Sequence, residues 1–75
     1  MREDLPPLTR QEKKVLNLLA KARTNKEIAE SLGISASTVK RHLENILRKL
    51  HLRNRTAAAV HAVLELHSRE PEKTL

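Results

Sequence analysis

The apolar residues of this chain recur every three or four positions in four separate stretches, which is the spacing of amphipathic helices. In the first stretch Val15, Leu16 and Leu19 share one face. The third stretch carries the longest apolar stripe, formed by Val39, Leu43, Ile46, Leu47 and Leu50. No stretch alternates apolar and polar residues as a half-buried strand would. The pattern therefore predicts an all-α fold with four helices.

Polar residues that can cap a helix precede all four stretches: Thr9, Thr24, Ser35 and Asn54. Glu12 and Glu27 follow the two threonines by three positions, which completes a capping box in each case. We therefore expect the first helix to end near Ala22 and the second to end at Gly33. The third should run from Ser35 to Leu50, and the fourth from Arg55 to about Ser68.

The short second helix and the longer third helix are separated by a tight turn at Gly33. Glycine supplies the positive φ that ends a helix there, and Ile34 is placed to fill the turn from the core. This arrangement predicts a helix-turn-helix, in which the second of the two helices enters the major groove of DNA. The polar face of that helix consists of Ser37, Lys40, Arg41, Glu44 and Arg48.

Composition favours a polyanionic partner. The 75 residues include 15 Lys and Arg against 9 Asp and Glu, for a net charge of +6. There is no Phe, Tyr or Trp on which unpaired bases could stack, so duplex DNA is favoured over single strands. The chain has no cysteine, no apolar run near the roughly 18 residues of a membrane span, and no secretory signal. We expect a cytoplasmic protein without a membrane partner.

Metal binding and catalysis find no support in the sequence. The four histidines form no i,i+4 pair and have no thiolate nearby, and His42 is interpreted as a half-buried neighbour of the core. There is no glycine-rich phosphate loop and no nucleophile with an adjacent base. We expect no metal, no cofactor and no enzymatic activity.

Three segments are expected along the chain. Residues 1–7 contain Pro6-Pro7 and alternating charges, which indicates a linker or disordered lead-in. Residues 8–68 hold the helix-turn-helix domain, and residues 69–75 form a polar tail. The Leu5-Pro6-Pro7 lead-in is typical of an interdomain linker, so we expect the chain to be a fragment of a larger regulator.

The sequence resembles the C-terminal DNA-binding domain of LuxR/FixJ-type bacterial transcription regulators from about Leu8 to Ala62. The matching segments include Leu8-Thr9 with Glu12, Thr24-Asn25-Lys26-Glu27-Ile28-Ala29, Thr38-Val39-Lys40, Asn45-Ile46-Leu47, Lys49-Leu50 and Arg55-Thr56. The resemblance implies a tri-helical core plus a fourth, dimerisation helix. Its implied partners are double-stranded DNA, a second copy bound through the last helix on DNA, a receiver or sensor domain in a longer chain, and RNA polymerase.

Two positions depart from that family at probable helix ends. The family commonly has glycine where this chain has Ala22 and His51. A side chain in the left-handed region costs roughly 1 kcal/mol relative to glycine. Either these helices end differently here or the chain carries that cost.

The expected site residues fall into three groups. Base contacts are assigned to Ser37, Lys40, Arg41 and Glu44, because Lys and Arg can bond guanine in the major groove and Glu can accept from cytosine N4. Phosphate contacts are assigned to Asn25, Lys26, Ser35, Thr38, Arg48 and Arg55. Dimer contacts are assigned to Ala57, Val60, His61 and Leu64, whose spacing leaves them opposite Ala58, Ala59 and Ala62 on the last helix.

Alternatives remain at two of these positions. Glu44 can instead pair with Lys40 or Arg48 at i,i+4, and the pairing is favoured. By family resemblance, Arg55 can bond inward to Glu12 rather than to phosphate. The predicted function is sequence-specific binding of double-stranded DNA in transcription regulation. The rival is a helical protein-interaction adaptor that uses the basic face and the alanine-rich last helix.

Overall fold

The computed structural model describes residues 5–69, which form four helices and no strand. The helices are α1 (Arg10–Ala20), α2 (Asn25–Leu32), α3 (Ala36–Lys49) and α4 (Arg55–Arg69). The predicted all-α fold is confirmed. Residues 1–4 of the predicted lead-in and residues 70–75 of the predicted tail lie outside the described part of the chain.

Both predicted capping boxes are present. The Thr9 amide donates to Glu12 Oε1 at 2.9 Å, and the Glu12 amide donates to Thr9 Oγ1 at 3.1 Å. Thr24 and Glu27 repeat the arrangement at the same two distances. Each box satisfies two backbone donors that would otherwise lack a partner at a helix start. The two helix starts are therefore fixed by local sequence.

The other two caps are also as predicted. Ser35 Oγ accepts from the Thr38 amide at 3.1 Å, and Asn54 Oδ1 accepts from the Ala57 amide at 2.8 Å. Gly33 ends α2 in the left-handed region, with φ +69°. A Cβ at Gly33 would meet no atom within 4 Å, so glycine is needed there for its backbone conformation and not for space.

Ala22 and His51 adopt the left-handed conformation that the family's glycine would favour. Their φ angles are +60° and +56°. The helix α1 ends at Ala20, two residues before the predicted end, and Ala22 makes the reversal just beyond it. The chain therefore carries the cost of two side chains in an unfavourable backbone region.

Like α1, the helix α3 contacts each of the other three helices and contributes one apolar stripe to the core. Its Val39, Leu43 and Ile46 are buried. The remaining buried apolar residues are Val15, Leu16 and Leu19 of α1, Ile28 and Ala29 of α2, and Ala58 and Ala62 of α4. Ile34 is half-buried and packs against this core from the turn, as predicted. Because one stripe of α3 is enclosed, its opposite stripe must face solvent.

A buried ion pair joins α1 to the last turn of α3. Glu12 is 3% exposed, and its Oε1 lies 2.7 Å from Lys49 Nζ. Lys49 also donates to the Pro7 carbonyl at 3.3 Å. One carboxylate thus closes the cap of α1 and holds the C-terminal turn of α3. The inward bond from Arg55 to Glu12 implied by family resemblance is wrong, because Lys49 is the partner of Glu12.

Burial would raise the pKa of Glu12, but the hydrogen bonds from Lys49 and the Thr9 amide outweigh it. Together with the Lys49 charge they hold the pKa of this carboxyl below its ordinary value. The folded chain therefore binds this proton less readily than the unfolded chain. The resulting stabilisation is present at neutral pH. It is lost as the pH falls first through the pKa of Glu12 in the unfolded chain and then through its pKa in the folded chain.

We predict that Ala22→Gly and His51→Gly will each raise the free energy of unfolding by roughly 0.5–1 kcal/mol, since glycine tolerates positive φ. Urea denaturation monitored by circular dichroism measures the change. Ala59→Gly, inside α4, serves as control and should lower stability, because glycine is unfavourable in a helix interior. Destabilisation by both substitutions at the helix ends would show that these residues contribute contacts worth more than their backbone cost.

We predict that Glu12→Gln will lower the free energy of unfolding by about 3 kcal/mol at pH 7, because Lys49 is left enclosed without its counter-charge. The parent should lose stability as the pH falls below about 5, because the unfolded carboxyl, with its ordinary pKa of about 4.3, then binds a proton more readily than the folded carboxyl. Urea titrations at a series of pH values should show a shallower loss for the variant in that pH range. An identical pH profile in the two proteins would remove Glu12 as the source of acid sensitivity.

Candidate nucleic-acid interface

The exposed stripe of α3 forms a continuous polar surface, which we call the α3 face. It consists of Ser37, Lys40, Arg41, Glu44 and Arg48, and all five side chains are exposed. The spacing i, i+3, i+4, i+7 and i+11 places them on one side of the helix, opposite the buried stripe. The apolar side of α3 is buried in the core, and its exposed side carries hydrogen-bonding side chains. A helix of this kind can present those side chains to the edges of bases.

Three hydroxyls cluster at the start of α3. Ser35 Oγ lies 3.1 Å from Ser37 Oγ and 2.9 Å from Thr38 Oγ1. The cap accepts the Thr38 amide and leaves the Ala36 and Ser37 amides without a hydrogen-bond partner among residues 5–69. Unpaired amides at a helix start carry the positive end of the helix dipole, which favours an anion.

Glu44 does not form the ion pair that the sequence favoured. Among the side chains that the structure describes, those of residues 5–68, the single ion pair closer than 4.0 Å joins Lys49 to Glu12. Neither Lys40 nor Arg48 reaches the Glu44 carboxylate, so the predicted i,i+4 pairing is wrong. An exposed ion pair of this kind contributes little to the stability of a folded protein, because forming it restricts two long side chains. The carboxylate is therefore available as an acceptor on the α3 face.

The start of α2 lies beside the start of α4. Arg55 is half-buried, and its Nη1 donates to Asn25 Oδ1 at 2.5 Å. Its Nη2 donates to the Arg23 carbonyl at 2.6 Å. Lys26 is exposed on the first turn of α2, while Asn25 is half-buried. Of these predicted phosphate contacts, Lys26 has a free side chain and Arg55 is bound to neighbouring groups.

The outer side of α4 is more apolar than the sequence analysis expected. Val60, Val63 and Leu64 are exposed by 53%, 37% and 63%, and they line a shallow groove with Leu19 and Ala20 of α1. We call this surface the α4 groove. Ala57 and His61, which were placed with Val60 and Leu64, are half-buried instead. The His61 side chain lies toward Leu16 and Leu50 in a separate hollow between the helices.

His42 is half-buried, as predicted, and its Nδ1 is enclosed without a hydrogen-bond partner in the described chain. Residues 5–69 hold no group of three side chains that could bind a metal ion. None of the described helices is both long enough and apolar enough to cross a membrane.

Sequence reasoning missed three features of this surface. Val63 belongs to the exposed side of α4, and a helical wheel drawn through Val60 and Leu64 would have included it. Arg55 was assigned to phosphate and Lys49 was given no partner, yet both side chains form hydrogen bonds within the protein. The hydrogen bonds of Lys49 and Arg55 cannot be predicted from a local pattern, because the partners lie 37 and 32 residues away in sequence.

A capped helix-turn-helix with a basic face opposite its core defines a nucleic-acid-binding class of domain. The family model of the bacterial regulatory proteins of the luxR family matches residues 6–62. The chain belongs to this family, and the predicted resemblance is confirmed. Membership supports a role in DNA-binding transcription regulation.

Several curated relatives are transcription regulators. The chain is 45% identical over 58 residues to a putative HTH-type transcriptional regulator, YhjB, of Escherichia coli, which covers 77% of this chain and 29% of that protein. It is 53% identical over 55 residues to the transcriptional regulatory protein LiaR of Bacillus subtilis. That match covers 73% of this chain and 26% of LiaR. It is 51% identical over 53 residues to the nitrate/nitrite response regulator protein NarP of Escherichia coli. That match covers 71% of this chain and 25% of NarP. The chain thus spans less than a third of the length of these relatives.

Proposed function

We propose that this chain is the effector domain of a bacterial transcription regulator and binds double-stranded DNA sequence-specifically with α3 in the major groove. The observation that carries the proposal is the exposed α3 face, set opposite a buried stripe on a capped helix of 14 residues. The net charge of +6 adds a sequence-independent attraction to phosphate. The setting is the cytoplasm, where bacterial DNA is found.

Base recognition is assigned to Ser37, Lys40, Arg41 and Glu44. The two basic residues are exposed and suited to guanine O6 and N7. Glu44 lies on the same face without an ion-pair partner among the described residues, which supports a contact with the N4 amino group of cytosine. A carboxylate on this face also disfavours phosphate, so it contributes to selectivity by repulsion from misplaced backbone.

Phosphate contacts are assigned to the starts of α2 and α3 and to flanking side chains. The assigned residues are Asn25, Lys26, Ser35, Thr38 and Arg48, together with the unpaired amides at the start of α3. Such contacts set the register of a protein on the duplex and carry no sequence information themselves. Arg55 belongs to this group by its charge, but its hydrogen bonds lie within the protein.

Pairing on DNA is assigned to the α4 groove. Val60 and Leu64 are the predicted dimer residues that are most exposed, and Val63 enlarges the apolar area. The other two predicted dimer residues, Ala57 and His61, are half-buried and do not line this groove. The patch is small, so two copies should pair only when neighbouring half-sites bring them together. A receiver or sensor domain and a contact with RNA polymerase are proposed for the longer protein.

An adaptor function is not favoured. An adaptor needs a basic face and an apolar face, but it does not need polar donors and one acceptor aligned on a capped helix opposite the core. We propose that the domain acts without an enzymatic step and without a cofactor.

We predict that Lys40→Ala and Arg41→Ala will each weaken binding to a selected half-site by roughly 1–3 kcal/mol, because each removes a base or phosphate contact. Gel-shift titrations at fixed salt measure the affinity, with helical content checked by circular dichroism. Lys14→Ala is the matched control, since it removes one exposed positive charge from α1. If both α3 variants bind as tightly as the control, α3 is not the reading helix.

We predict that Val60→Glu will leave the fold and the affinity for one half-site nearly unchanged but will abolish cooperative filling of two half-sites about one helical turn apart. The charge would be enclosed between two copies without a partner. Titration of paired and single half-site duplexes measures the cooperativity. Asn17→Glu, which adds the same charge at an exposed position of α1, is the control. Retained cooperativity in Val60→Glu would place the dimer surface elsewhere.

A further inference from the structure

The first residue of α4 is bonded to the first residue of α2. The guanidinium of Arg55 uses Nη1 for Asn25 Oδ1 and Nη2 for the Arg23 carbonyl. A guanidinium is planar and presents its donors in a fixed fork, so two such bonds fix its orientation as well as its position. The bond to Asn25 is partly buried, which shields it from water, while the bond to the Arg23 carbonyl is exposed.

These bonds determine which way the Asn25 carboxamide faces. An arginine side chain can only donate, so only the oxygen of the carboxamide can face it. The amino group, Nδ2, must then lie on the side away from Arg55, and it has no hydrogen-bond partner among residues 5–69. Asn25 thus holds two free N–H donors in one orientation at the start of α2.

We infer that Arg55 is a positioning residue, which orients Asn25 so that Nδ2 donates to a DNA phosphate and which does not itself contact the DNA. The inference rests on the proposed function, and it replaces the direct Arg55–phosphate contact expected from the sequence. Arg55 uses two of its five guanidinium N–H donors inside the protein, and these two bonds hold its terminal group toward Asn25 and Arg23. Through this residue the helix assigned to pairing is joined to a phosphate contact.

The first experiment needs no DNA. Relaxation of the ¹⁵N-labelled Asn25 side chain by NMR measures how rigidly its amide is held in the 75-residue chain. The order parameter should be high in the parent and should fall in both Arg55→Ala and Arg55→Lys, because lysine cannot bridge two acceptors with fixed geometry. Arg53→Ala, an exposed arginine two residues away, is the matched control and should leave it unchanged. An equally rigid amide in Arg55→Ala would overturn the inference.

The second experiment is a double-mutant cycle on a single half-site duplex. Asn25→Ala and Arg55→Ala should each weaken binding about tenfold, as expected for a hydrogen bond to a charged acceptor. The double variant should be no more than about twofold weaker than either single variant, because the two residues act through one contact. Effects that multiply to about a hundredfold would show an independent contact by Arg55 and contradict the inference.

The variant Arg55→Lys distinguishes a role of Arg55 in orienting Asn25 from a role of its positive charge in attracting DNA. It keeps the positive charge, so binding as weak as that of Arg55→Ala supports positioning, and restored binding contradicts it. Urea denaturation of each variant corrects the affinities for any unfolded fraction. If the parent shows no preference for any duplex, the proposed function fails, while the relaxation measurement still decides whether Arg55 orients Asn25.

Discussion

The buried stripe of α3 is the constraint on which the domain depends. Val39, Leu43 and Ile46 are enclosed by the other three helices, and each such side chain stabilises the fold by about 1.5–3 kcal/mol when fully buried. Because residues advance by a fixed angle along a helix, enclosing this stripe determines which residues face solvent. The α3 face is therefore set by the core, and any change that rotates α3 would also change the residues offered to DNA.

The Glu12–Lys49 pair adds a second restraint at the other end of α3. A buried ion pair contributes little net stability, since desolvation offsets the attraction. Its geometry is more consequential, because one carboxylate binds the Thr9 amide and the Lys49 ammonium together. Lys49 also reaches the carbonyl of Pro7, in the segment that precedes α1. The last turn of α3 is thus tied both to the cap of α1 and to the chain leading into it.

Most of the fold could be predicted from the sequence because its signals are local. The capping boxes, the Gly33 turn and the apolar stripes each span a few residues, and each formed as expected. The side-chain partners of Lys49 and Arg55 could not be predicted, since they depend on how the helices pack. Exposed charges such as Glu44 were also mispredicted, because i,i+4 spacing permits an ion pair but supplies too little energy to enforce one.

We propose that the α3 face and the start of α2 bind the duplex. An NMR titration of the ¹⁵N-labelled chain with a half-site duplex chosen from a random pool tests it most directly, since a chain of 75 residues gives a resolvable amide spectrum. We expect saturable shifts concentrated on residues 35–48 and on the amides of Asn25 and Lys26, with the exposed side of α1 little changed. Shifts centred on the α4 groove or on α1, with α3 unperturbed, would contradict it.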